Sequence, residues 1–84
     1  MPKLAHADAA PLIALAHRIA HEGNRGQARD IPRFQSRVIA LINAGRVPAD
    51  LQEPLSSAAN ALVEASSPAR NAQDLETWLK QYSD

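Results

Sequence analysis

The sequence predicts an all-α protein, a compact bundle of four short helices forming one small domain over residues 1–84. Apolar residues recur every three or four positions in four separate segments, at about 9–22, 31–44, 51–65 and 68–82. Apolar and polar residues nowhere alternate as in a strand, and Asn-Gly hairpin turns are absent. Helices joined by short polar connections pack as a bundle, and we expect that architecture here.

A polar residue followed closely by proline marks the start of each predicted helix. The pairs are Asp8 with Pro11, Asp30 with Pro32, Asp50 with Pro54, and Ser67 with Pro68. Proline suits the first turn, where few N–H groups have a partner to lose, and aspartate or serine can cap the free N–H groups. We therefore expect these polar residues to be N-caps. We also expect Gly23 and Gly45 to end the first two helices in left-handed conformations.

The first two helices have clear apolar faces. In the first, at about 9–22, the stripe consists of Leu12, Leu15, Ala16 and Ile19. In the second, at about 31–44, it consists of Ile31, Phe34, Val38, Leu41 and Ile42. The segment 24–29 between them is polar apart from one alanine and one glycine, and predicts a loop.

The third helix contains Pro54, which could break it. The apolar stripe continues through the proline, so we predict a single helix at about 51–65. The fourth helix, at about 68–82, places Leu75, Trp78 and Tyr82 on one face. The side chains expected to be mostly buried are Leu15, Ile19, Phe34, Val38, Leu41, Leu55, Leu62, Leu75 and Trp78.

The composition excludes several classes of site. The chain has no cysteine, so it cannot form disulfides, iron–sulfur clusters or thiolate zinc sites. Neither a signal-peptide pattern nor an apolar run of about 20 residues is present. We therefore expect a soluble protein without a membrane partner, cytoplasmic by default.

Catalytic and metal-binding patterns are weak. His17 and His21 have a spacing that can hold a metal on one helix face, but Arg18 stands where a metalloprotease helix would have its glutamate. No serine lies in a Gly-x-Ser-x-Gly context. We predict no enzymatic activity, no cofactor and no metal site, with His17 and His21 as weak metal candidates.

Charge is the main functional signal. Residues 17–46 contain six arginines and two acidic residues, whereas residues 47–84 contain six acidic residues and two basic ones. Arg25, Arg29, Arg33 and Arg37 recur every four residues, the first two in the predicted loop and the last two on the second helix. Arginine suits bidentate contact with carboxylate or phosphate, so these four are the candidate partner-binding residues.

The segment from Leu41 to Leu51 loosely resembles the helix-turn-helix unit that places a recognition helix in the DNA major groove. That recognition helix would be the segment at 51–65, which has no lysine or arginine and carries Glu53 and Glu64. Because attraction to phosphates dominates DNA affinity, this acidic helix argues against specific DNA binding.

Two functions from different classes remain. The first is a non-catalytic helical protein–protein interaction module with a basic first half and an acidic second half, whose partner is another protein or a second copy. The alternative is a small helical protein that binds the nucleic-acid backbone through the arginine series. The acidic second half would repel a polyanion, which favours the first.

Overall fold

The computed structural model describes residues 2–84 and contains four helices. They are α1 (His6–His21), α2 (Asn24–Asn43), α3 (Ala49–Glu64) and α4 (Pro68–Gln81). Each helix packs against the next in the chain, and α4 returns to pack along α1, which is the most extensive helix–helix contact. The prediction of an all-α bundle of four helices is confirmed.

The core consists of small and medium aliphatic side chains around one aromatic ring. Seven of the nine predicted core residues are buried, whereas Leu15 and Trp78 are half-buried at its edge. The buried apolar residues are Leu4, Ala9, Leu12, Ala16, Ile19, Phe34, Val38, Leu41, Val47, Leu51, Leu55, Ala59, Leu62, Ala72, Leu75 and Leu79. Four alanines belong to this set, and their small side chains allow the helices to approach closely.

The start of α2 differs most from the prediction. The helix begins at Asn24 rather than near Ile31, so the segment 24–29 is helical and not a loop. Gln27, which is 8% exposed, donates hydrogen bonds to the carbonyl oxygens of Ile19 and Glu22 at 3.0 and 3.3 Å. These hydrogen bonds to the end of α1 are tertiary contacts, and they stabilise a helical start that the local sequence did not predict.

Three of the prolines lie deeper inside their helices than predicted. Pro11 and Pro54 are the sixth residues of α1 and α3, and Pro32 is the ninth of α2. Each removes one backbone N–H bond without ending its helix. The prediction that α3 continues through Pro54 is confirmed, and Pro68 alone of the four begins its helix.

The predicted N-caps are mostly wrong. Asp8, Asp30 and Asp50 lie inside helices, and the N-cap residues of α1, α2 and α3 are Ala5, Gly23 and Pro48. Ser67 is the N-cap of α4, although its side chain makes no capping hydrogen bond. Asp8 and Asp30 form ion pairs instead, such as Asp8 with Arg46 at 2.9 Å, whereas Asp50 is exposed.

The two helix-ending glycines have different conformations. Gly45 follows α2 with a φ of 71°, so the predicted left-handed conformation is confirmed there. Gly23 has a φ of −80°, which any residue can adopt, and it precedes α2 rather than closing α1 in a left-handed turn. The connection between α1 and α2 is therefore only two residues long, Glu22 and Gly23.

The two ends of the described chain are joined. Leu4 donates its N–H to the Tyr82 carbonyl oxygen at 2.7 Å and accepts the Asp84 N–H at 3.0 Å. This parallel bridge is isolated, and residues 2–84 contain no strand. The Leu4 side chain is fully buried and so extends the core beyond the four helices.

Candidate functional site

A groove of about 740 Å³ lies between α1 and α2. Its apolar lining is formed by Pro11, Ala14, Leu15, Pro32 and Ala40. Three arginines complete the lining, Arg18 from α1 and Arg33 and Arg37 from α2, with the Ser36 hydroxyl between the last two. The groove is thus an apolar surface bordered by cations on both helices.

The groove exists because the facing side chains are short. Ala14 of α1 and Ser36 and Ala40 of α2 do not fill the space between the two helices. The helices run antiparallel, because Asp8 near the start of α1 pairs with Arg46 just after α2. From Pro32 to Ala40 the groove follows α2 for about 12 Å, or a little over two helical turns.

All four predicted arginines lie on α2, because that helix begins at Asn24. The expectation that Arg25 and Arg29 belong to a loop is wrong. A spacing of four residues advances each arginine by only about 40° around the helix, so the series stays near one face of α2. Arg33 and Arg37 line the groove, whereas Arg25 and Arg29 precede Pro32, the first residue of α2 in the groove lining.

Asp30 is the buried anion that holds this region together. Its side chain is fully buried, and three half-exposed arginines surround it. Arg18 Nη2 lies 3.2 Å from Oδ2, Arg29 Nε lies 3.3 Å from Oδ1, and Arg33 Nη1 lies 3.6 Å from Oδ1. A buried carboxylate needs such partners because desolvation otherwise makes its charge costly. Asp30 therefore holds Arg18 and Arg33 at the groove.

Glu22 forms a carboxyl pair with Asp30. Interaction with the Asp30 carboxyl group raises the pKa of Glu22, burial adds to that rise, and the interaction with Glu22 lowers the pKa of Asp30. Within residues 2–84, Glu22 Oε2 and Asp30 Oδ2 are the buried side-chain oxygens without a hydrogen-bond partner. A proton on Glu22 would supply the missing donor for both.

Gly26 makes room for this carboxyl pair. A Cβ atom there would lie 2.7 Å from Glu22 Cδ, which is too close for a real contact. The absence of a side chain at this position inside α2 allows the Glu22 side chain to pack against the helix. Arg18 also contacts this side chain, with Nε 3.4 Å from Oε1.

The arginines differ in whether they form ion pairs within the fold. Arg18, Arg29 and Arg33 have acidic partners, whereas Arg25 and Arg37 form no ion pair with any residue of 2–84. Arg37 is therefore the groove cation available to a partner without loss of an internal contact. Sequence reasoning missed Arg18, although its four-residue spacing from Glu22 is the signal of a helical ion pair.

The histidine pair has internal partners of its own. The rings of His17 and His21 lie 4.3 Å apart, and His17 Nδ1 lies 3.2 Å from both carboxylate oxygens of Glu76. Burial alone would raise the pKa of Glu76, but hydrogen bonds from Lys80 and His17 outweigh it and lower that pKa. No group of three or more potential metal ligands occurs among residues 2–84.

The acidic residues of the second half lie outside the groove. Five acidic residues of α3, α4 and the C-terminal end are exposed and lie in no ion pair with residues 2–84: Asp50, Glu53, Glu64, Asp74 and Asp84. They do not border the groove between α1 and α2. In the part of the chain that the structure describes, no helix is long and apolar enough to cross a membrane.

Comparison with protein-family models found no match, and neither the curated proteins nor the solved structures gave a significant match to this chain.

Proposed function

We propose that this protein is a non-catalytic interaction module whose α1/α2 groove binds an acidic surface of another protein. The observation that carries the proposal is the combination of an apolar lining with Arg18, Arg33 and Arg37 on its borders. Arginine and apolar contacts together are typical of the energetically important centre of a protein interface.

The internal contacts of two groove cations support this proposal. Asp30 forms ion pairs with Arg18 and Arg33. The groove lining also contains Pro11 and Pro32, whose backbones are conformationally restricted. A partner therefore meets cations that are already positioned, which lowers the entropy cost of binding.

Nucleic-acid backbone binding is the alternative, favoured by the position of all four arginines on one continuous helix. Two features weigh against it. The exposed carboxylates of α3 and α4, such as Glu53 and Asp74, would repel a polyanion. The groove also has no aromatic residue on which a base could stack.

A displayed library of random peptides tests the proposal directly. Selection on the wild-type protein should enrich acidic peptides, and these should fail to bind the Arg37→Glu variant. The proposal fails if no enriched peptide distinguishes the two proteins. It also fails if random RNA or DNA binds with micromolar affinity at about 150 mM salt and Arg33→Glu abolishes that binding.

A further inference from the structure

We infer that the occupant of the α1/α2 groove is an amphipathic α-helix of a partner protein, with one apolar stripe bordered on both sides by carboxylates. This inference rests on the proposed function and names the chemistry of its partner. It follows from the dimensions of the groove, the position of its arginines and the composition of its lining.

The length of the groove fits a helix. The groove extends about 12 Å along α2, which corresponds to a little over two turns of an α-helix. An amphipathic helix lays one face into such a groove through residues at positions i, i+3, i+4 and i+7. The short side chains of Ala14, Ser36 and Ala40 leave the depth that an apolar stripe of leucines or similar residues would fill.

The arginines specify where the carboxylates should be. Arg33 and Arg37 are one turn apart on α2, and Arg18 reaches the groove from α1, where it and Arg33 both contact the Asp30 carboxylate. A partner helix with acidic residues four positions apart on one side of its stripe, and another on the far side, can pair with all three. Such charge-assisted contacts at the border add specificity and speed association.

A second copy of this chain does not fit the groove as well. The exposed faces of its acidic helices are largely polar: α3 exposes Glu53, Ser57 and Asn60, and α4 exposes Gln73, Asp74 and Thr77. The apolar residues that α3 and α4 share line a cleft between the two helices: Pro54, Ala58, Ala61, Leu75 and Trp78. A cleft does not enter a groove, so the charge complementarity of a second copy is not matched by complementary shape.

The test uses a fluorescent, end-capped peptide of about 15 residues, long enough to span the groove with about one turn to spare at each end. Leucines form its stripe and glutamates border the stripe on both sides. Two control peptides accompany it, one with lysines in place of the glutamates and one with a central proline that breaks the helix. Fluorescence anisotropy measures binding of each peptide to the full chain.

Arg37→Glu and Arg25→Glu are the matched protein variants. Both arginines are exposed on α2 and lack an ion pair within residues 2–84, but only Arg37 lines the groove. We expect Arg37→Glu to weaken binding of the glutamate peptide by about tenfold or more, and Arg25→Glu by less than about twofold. Circular dichroism should show both variants as helical as the wild type.

A second pair tests the lining. Ala40 lines the groove and Ala44 lies one turn further along, and both are exposed. Ala40→Glu should abolish binding of the glutamate peptide, and Ala44→Glu should leave it within about twofold. Both substitutions add the same charge near the C-terminal end of α2, so a difference between them reports the groove.

Each other outcome overturns the inference. Equal losses of affinity for Arg37→Glu and Arg25→Glu would indicate non-specific attraction. Absence of binding to the glutamate peptide would rule out an acidic amphipathic helix as the occupant. Equal affinity for the proline peptide would indicate an extended occupant and leave the proposed function standing. A mass in light scattering that doubles for the wild type but not for Arg37→Glu would assign the groove to a second copy.

Discussion

Asp30 on α2 and Arg18 on α1 form an ion pair, with Arg18 Nη2 3.2 Å from Asp30 Oδ2. The carboxylate is fully buried, whereas the arginine side chain is 49% exposed. The pair joins the last turn of α1 to the first half of α2 across a connection of two residues. Arg18 thus joins α1 to α2 through its ion pair and also lines the groove.

Replacing Asp30 should therefore destabilise the protein. Asp30→Asn keeps the size of the side chain but removes its attraction to three arginines, and we expect a loss of about 1–3 kcal/mol. The loss is moderate because the half-exposed arginines regain water. Urea denaturation measures it, with Asp74→Asn as control, since Asp74 is exposed and in no ion pair within residues 2–84. Equal stability of the two variants would contradict the role of Asp30.

The Glu22–Asp30 pair should make stability depend on pH in an unusual direction. The pKa of Glu22 in the folded state is raised above its ordinary value of 4.5, so the folded state binds its proton more tightly than the unfolded state. Its contribution is fully present below pH 4.5 and is lost as the pH rises through the folded-state pKa. Asp30 acts in the opposite sense: its pKa is lowered from 3.8, so its contribution is lost as the pH falls below that value.

Glu22→Gln should remove the contribution of Glu22 to the pH dependence of stability. The amide resembles the protonated carboxyl group and cannot ionise, so the decline of stability above pH 4.5 should become shallower. Urea denaturation at several pH values between about 4 and 7 measures the slope for wild type and variant. Glu53→Gln is the control, because Glu53 is exposed and lies in no ion pair within residues 2–84. Identical slopes for wild type and Glu22→Gln would refute the shared proton.

The face of α2 that packs inward can be tested with two residues two positions apart. Leu41 belongs to the core and is 9% exposed, whereas Ile39 is 52% exposed. Leu41→Ala should cost about 2–5 kcal/mol and lower the melting temperature sharply, because it leaves a cavity. Ile39→Ala should change stability by less than about 0.5 kcal/mol. Similar losses at both positions would mean that α2 is oriented differently.

Leu4, in the segment before α1, should contribute as much to stability as a core residue of a helix. Leu4 is fully buried and exchanges two backbone hydrogen bonds with Tyr82 and Asp84. Leu4→Ala should cost about 2–5 kcal/mol, whereas Lys3→Ala at the exposed neighbouring position should cost almost nothing. A melting temperature unaffected by Leu4→Ala would show that this segment does not stay attached in solution.

Zinc and chelators should leave the melting temperature unchanged. His17 already contacts Glu76 on α4, and His21 Nδ1 lies 2.8 Å from the His17 carbonyl oxygen of its own helix. A ligand stabilises a fold only when it binds the folded state more tightly than the unfolded state. Calorimetry with and without zinc checks this prediction. A rise of several degrees that His21→Ala abolishes would instead establish a metal site.

Two of the three groove arginines could be predicted from the sequence. The four-residue spacing of the arginine series led to Arg33 and Arg37, and both line the groove. The same spacing included Arg25 and Arg29, which precede the groove along α2, and where the groove begins depends on how α1 packs against α2. Arg18 could not be assigned to the groove, because its position depends on how α1 packs against α2.

The sequence by itself determined the number of helices, the continuity of α3 through Pro54 and most of the core. These features follow from apolar periodicity, which is a local property of each segment. Only the tertiary structure decided that α2 begins at Asn24, that Asp30 is a buried ion-pair partner rather than a cap, and that the groove has cations on both borders. The physical reason is that a polar residue can cap a helix or pair across an interface, and the choice depends on the charges that a neighbouring helix brings to it.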